Sequence, residues 1–144
     1  MKILVTGTTG ESMPPPYGGV PKLVLFYARI WKEKGHQTAA TFTYCPLNPD
    51  DLGAKAQYFY EYKSRPSNLD KILYLLKHFL SNPFLYIRLF MDYYKITQRV
   101  TKELVLFSAY GVFIDKVCAS FKPDIIFTEA VLIKSFMVAA NYRK

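Results

Sequence analysis

The stretch PPPYGGVPKLVLFYARIWKEKGH, residues 14–36, decides how the rest of this chain is read. Three prolines stiffen a loop that delivers Gly18 and Gly19 to the start of a mostly apolar helix. Pro21 suits the first turn, where its missing N–H costs no hydrogen bond. The backbone N–H groups of Val20, Lys22 and Leu23 are then left unpaired beside the positive helix end. Two adjacent residues without Cβ allow a diphosphate or another backbone to approach those donors closely, which is the design of an anion cradle. The plainer reading of the same pair is a tight strand-to-helix connection. At the far end, Gly35 takes the left-handed position behind Lys32 and Lys34 and stops the helix before His36.

Working outward, residues 2–6 are a short apolar run closed by Gly7, the pattern of a parallel strand buried on both faces. The helix over residues 23–34 is apolar around most of its girth, as expected of a helix sandwiched between layers. Residues 37–44, QTAATFTY, predict a second strand ended by Cys45-Pro46. Strand, helix, strand over about forty residues makes one right-handed βαβ unit. Residues 46–56 carry turn chemistry, and residues 58–62 predict a third strand at the sheet edge. Ser67 and Asp70 have capping-box spacing, and Leu69, Ile72, Leu73, Leu76, Phe79 and Leu80 fall on one face of the helix that follows. Asn82-Pro83 restarts the pattern, with Phe84, Ile87, Met91 and Tyr94 repeating the spacing and Arg88 placed to pair with Asp92. A further helix is predicted over residues 95–120, broken near Gly111. A last strand falls at 124–128 and a last helix at 131–143. The fold class is α/β, a Rossmann-like parallel sheet with flanking helices. Residues 1–144 read as one domain with a helical, basic and aromatic section at 67–120. The sheet would normally continue, so its edge is expected to be open or covered by another polypeptide.

Composition narrows the partners. The chain has 144 residues, 51% of them hydrophobic, which excludes a disordered segment. A net charge of +8 points to an anionic partner. Cys45 and Cys118 have no metal-ligand spacing and read as reduced structural thiols, with no metal implied. The N-terminal apolar run is too short for a signal peptide, and the uncharged stretch 104–114 falls short of the ~20 residues that span a bilayer. The chain is expected not to cross a membrane by itself and to be cytoplasmic. Residues 63–103 hold eight cations against three acids, a net of +5, with aromatic residues among them. Such helices suit the inner face of an anionic cell membrane, with Lys77, Arg88 and Lys95 as contacts. The alternative is an ordinary helical section with a wet basic face.

KILVTG, the Gly-Gly helix ending in Lys-Gly-His, and FKPDIIFTEAVLIKSFMVAA together resemble the N-terminal Rossmann-like domain of GT-B glycosyltransferases, especially the family-4 retaining enzymes. The likeness covers about the first forty-five residues and residues 121–140. It implies a transferase that moves a sugar from a nucleotide-diphosphate sugar to a glycan or lipid-linked acceptor, such as a cell-envelope polysaccharide, with no further cofactor. Gly18, Gly19 and Val20 would then meet the donor diphosphate. Glu129 stands where many members place a catalytic His, and would orient a hydroxyl, act as a base or cap the next helix. Pro21 departs from the family, which often has an acidic residue there. The resemblance also implies a donor-binding domain or subunit that this chain does not contain, so the chain is expected to be inactive alone, as a fragment or as half of a bipartite enzyme.

Two other readings start from the same residues. VTGTTG resembles the opening of NAD-binding short-chain dehydrogenases and epimerases, with Gly7 and Gly10 beginning a fingerprint. Its third glycine would fall at Met13, three prolines follow, and no acidic residue closes the second strand to hold a ribose. A non-enzymatic basic anion-binding module rests on charge alone, and no nucleic-acid-binding module is present in the sequence. His36 and His78 read as surface or helix-end histidines.

Overall fold

The computed structural model describes residues 1–6, 19–44 and 57–128. Strand β1 spans Lys2–Thr6, and after it helix α1 spans Gly19–Glu33 and strand β2 spans Gln37–Phe42. α1 therefore starts four residues earlier than its apolar run predicts, because Gly19, Val20 and Pro21 are themselves helical. It ends as expected. Gly35 sits at φ +79°, its N–H donates to the Lys32 carbonyl at 2.8 Å, and the His36 N–H donates to the Trp31 carbonyl at 2.9 Å. These two bonds are a Schellman motif, which only a residue free to adopt positive φ closes cheaply.

Strand β3 is Gln57–Tyr60 and strand β4 is Ile125–Thr128. The four strands are all parallel in the order β3-β2-β1-β4, with β3 at one edge as its composition suggested. β2 and β3 each end two residues sooner than predicted. The next residues still pair: the N–H groups of Glu61 and Tyr62 donate to the carbonyls of Phe42 and Thr43 at 3.0 and 2.9 Å.

Successive residues serve opposite faces of the sheet, as the period of two demands. Val5, Ala40 and Phe42 pack with Trp31 of α1, Tyr58, Tyr60 and Phe127. Leu4, Ala39, Phe59 and Ile126 pack on the other side with the remaining helices. These are α2, Asn68–Ser81; α3, Pro83–Thr97; and α4, Lys102–Phe121.

α4 is the inner helix of that second layer. Ile114, Val112 and Leu104 are fully buried, each contributing about 1.5–3 kcal/mol by leaving water. The Tyr86 hydroxyl ties α3 to α4 by donating to the Val105 carbonyl at 2.9 Å. α4 is the helix among the described residues long and apolar enough to cross a membrane, contrary to the shorter span read from residues 104–114. Its apolar surface is spent inside the fold, where eleven of its 20 residues are buried.

Several local expectations hold and others give way to packing. Ser67 and Asp70 form a reciprocal capping box, and Asn82 caps α3 with Pro83 in its first turn. The predicted break at Gly111 is absent, because Gly111 is where the Leu89 side chain of α3 meets α4, and a Cβ there would run into Leu89 Cδ1. The chain instead breaks after Thr97, where Gln98 takes φ 51° and caps α3. Asp92 pairs with Lys95 at 3.7 Å rather than with Arg88. His78 is not a surface residue: it is 4% exposed, with its ring centroid 4.3 Å from that of Tyr74. Cys118 is buried. Cys45, the loop 46–56 and the helix expected at 131–143 lie outside the described residues.

Candidate functional site at the carboxyl edge of the sheet

All four strands point the same way, so their carboxyl ends, Thr6, Phe42, Tyr60 and Thr128, share one edge. From β1 the chain steps outward to β2 and β3, then returns to place β4 on the other side of β1. The order therefore reverses between β1 and β4, and open α/β sheets bind ligands in the crevice outside such a switch point. Thr6 and Thr128 are paired in register there. Thr6 is fully buried, and its Oγ1 has no hydrogen-bond partner among the described residues.

α1 is the helix that leaves β1, so its N-terminus belongs to this same edge. With the helix beginning at Gly19, the unpaired first-turn donors within it are the N–H groups of Gly19 and Val20, Pro21 having none. Lys22 and Leu23, both expected among them, are far enough into the helix to bond back to the carbonyls four residues earlier. No acidic residue occupies the first turn to compete for these donors.

A second feature of the edge was not legible in the sequence. A cleft of about 360 Å³ opens beyond β2 and β3, lined by Thr43, Glu61, Tyr62, Arg65, Lys71 and Phe107, among others. The fold assembles it from two strand ends, the start of α2 and the first half of α4. Burial, with Glu61 and Asp70 nearby, pushes the Tyr62 hydroxyl up to about 12, so it remains a protonated hydrogen-bond donor well beyond neutral pH. Arg65 and Lys71 are exposed cations, and the Phe107 ring supplies an apolar wall. Such a cleft can receive a ligand with hydroxyl or anionic groups on an apolar body.

The residues singled out from the sequence fall in three places. Gly19 and Val20 open α1 at the switch-point edge. Gly18 and Glu129 lie outside the described residues, as do Gly7 and Gly10. Lys77 on α2 and Arg88 and Lys95 on α3 are exposed. Among the described residues no group of three or more His, Cys, Asp or Glu side chains is placed to hold a metal.

The architecture defines an α/β protein with an all-parallel, Rossmann-like sheet and helices on both faces. Compared with known proteins, the chain matches no protein-family model, no curated protein and no solved structure.

Proposed function

We propose that this chain is the acceptor-side Rossmann-like domain of a GT-B glycosyltransferase, working with a donor-binding domain that grips a nucleotide-diphosphate sugar. The observation that carries this reading is the start of α1 at Gly19, on the carboxyl edge beside the β1–β4 switch point. Backbone donors fixed at a helix terminus stabilise the phosphate charge that grows as the nucleotide leaves, and they need no reorganisation to do so. The sequence likeness in the first forty-five residues supports the same role for Gly18, Gly19 and Val20. The cleft of Glu61, Tyr62, Arg65 and Lys71 supplies hydroxyl, carboxylate and cationic partners for a polar acceptor. Glu129 follows β4 in sequence and would act at the switch point as a base or as a positioning group.

The test is an amide NMR titration of the full chain with UDP and, separately, with NAD. UDP is expected to move the Gly19 and Val20 resonances, and NAD to leave them in place. Tight NAD binding, or UDP shifts that leave Gly19 and Val20 unmoved, overturns the reading.

A further inference from the structure

Helix α2 turns its more apolar side away from the protein. Tyr74 and His78, one turn apart, face the core. On the opposite side of the helix Leu69, Ile72, Leu73, Leu76 and Leu80 are 52–75% exposed. α3 repeats the arrangement: Tyr86, Leu89 and Tyr93 are buried, while Phe84 is 87% exposed and Ile87, Met91 and Tyr94 are 40–51% exposed. Single exposed leucines need no explanation, but nine large apolar side chains on the outward faces of two successive helices mark a contact surface.

The charges around these faces indicate what covers them. All eight cations between residues 63 and 103 are exposed. The three acids of the same section are engaged locally. Asp70 accepts from the N–H and hydroxyl of Ser67 at 2.8 and 2.6 Å, Asp92 pairs with Lys95, and Glu103 bonds to Thr101 and the backbone at the start of α4. A second copy of this chain would bring two surfaces of net +5 together. Five of the eight cations are lysines, which are depleted from protein interfaces and favoured beside lipid headgroups.

We propose that the outward face of α2 and α3 seats on an anionic lipid bilayer, with its apolar side chains at the acyl boundary and Lys77, Arg88 and Lys95 on the lipid phosphates. The helices lie in the interface and do not span it. Long lysine and arginine stems allow the charged heads to reach the phosphates while the aliphatic parts cover apolar surface.

Flotation of the full chain with phosphatidylcholine vesicles, alone or mixed with phosphatidylglycerol, tests this. The chain is expected to float with the mixed vesicles about tenfold more than with the neutral ones, and less as salt rises. Leu76→Glu with Leu80→Glu is expected to lower that binding by about tenfold or more, and Lys77→Glu with Arg88→Glu to remove the preference for anionic lipid. The four positions are exposed, so thermal unfolding should report intact folds for both variants. Failure to float, equal binding to both vesicle types, or undiminished binding by the Leu76→Glu, Leu80→Glu variant overturns the proposal. So does a dimer that Phe84→Glu dissolves and that fails to float, which would assign the face to a second copy. The vesicle result and the amide titration with UDP stand or fall separately.

Discussion

Helices α2 and α4 pack against each other and have opposite relations to solvent. α4 has eleven buried residues in 20, whereas α2 has two in 14, although α2 carries the cleaner apolar stripe in its sequence. A helix apolar on every side can only lie inside, so α4 has one solution. A helix with a stripe buries whichever side its neighbours reach, and in α2 that side holds Tyr74 and His78. Periodicity therefore establishes that a helix is two-faced without establishing which face the same chain covers.

The largest expected effect comes from cutting one leucine-sized side chain from each kind of face. Ile114→Ala removes atoms from a site with no solvent exposure and is expected to cost about 2–5 kcal/mol. Leu80→Ala removes atoms that are already 75% exposed and should change stability by no more than about 0.5 kcal/mol. Urea denaturation of the two variants checks the contrast. Comparable losses would mean that the α2 stripe is covered within the folded chain.

The inward side of α2 supplies a sharper, pH-dependent test. His78 lies between Tyr74 and Phe113, and its Nδ1 has no hydrogen-bond partner among the described residues. Burial, and then the charges of Lys116 and Lys77, hold its imidazole down at about 4 from an ordinary value of 6.5. As pH falls, the unfolded chain therefore takes up this proton before the folded one does. The contribution of the neutral ring is complete above pH 6.5 and is lost between 6.5 and 4, amounting to roughly 3 kcal/mol at most. His78→Phe should remove that part of the acid sensitivity. Urea midpoints at pH 7 and pH 4.5, compared between parent and variant, isolate it from the carboxylates that both share. The same fall in both proteins would show that His78 already meets water in the folded state.

These residues also show what a linear reading reaches. Gly35, the Ser67–Asp70 box and Asn82-Pro83 were legible because each acts on backbone groups within four residues of itself. The strand run of β1 was legible because a parallel strand buried on both faces is continuously apolar, and that of β2 because small and β-branched residues ended by Cys45-Pro46 suit a strand. His78 was not, since its burial also needs Phe113 of α4, which packing brings against the side where Tyr74 lies one turn before it. Gly111 looked like a helix break and is a point of close approach between α3 and α4, while the true break at Gln98 uses a residue with no turn signature. The site divides in the same way. The start of α1 could be read from adjacent glycines, but Glu61, Arg65 and Lys71 are gathered with Phe107 only by the fold, and no spacing connects them.

The smallest effect concerns the helix caps, where one chemical change can be made on both sides of the comparison. Ser67 Oγ accepts the Asp70 N–H at 3.2 Å at the start of α2, and Thr101 Oγ1 accepts the Leu104 N–H at 3.3 Å at the start of α4. Replacing either residue with alanine should cost about 1 kcal/mol. The two losses are expected to appear in different places, because a helix with few buried residues opens by itself while a core helix opens only with its surroundings. Ser67→Ala should speed hydrogen exchange of the α2 amides by about five- to tenfold and leave those of β1 unchanged. Thr101→Ala should raise exchange in α4 and β1 together, since Leu4 of β1 packs in the same core as Ile114 and Val112. If α4 frayed alone while Ser67→Ala loosened the sheet, α2 and not α4 would be the helix that holds this layer to the strands.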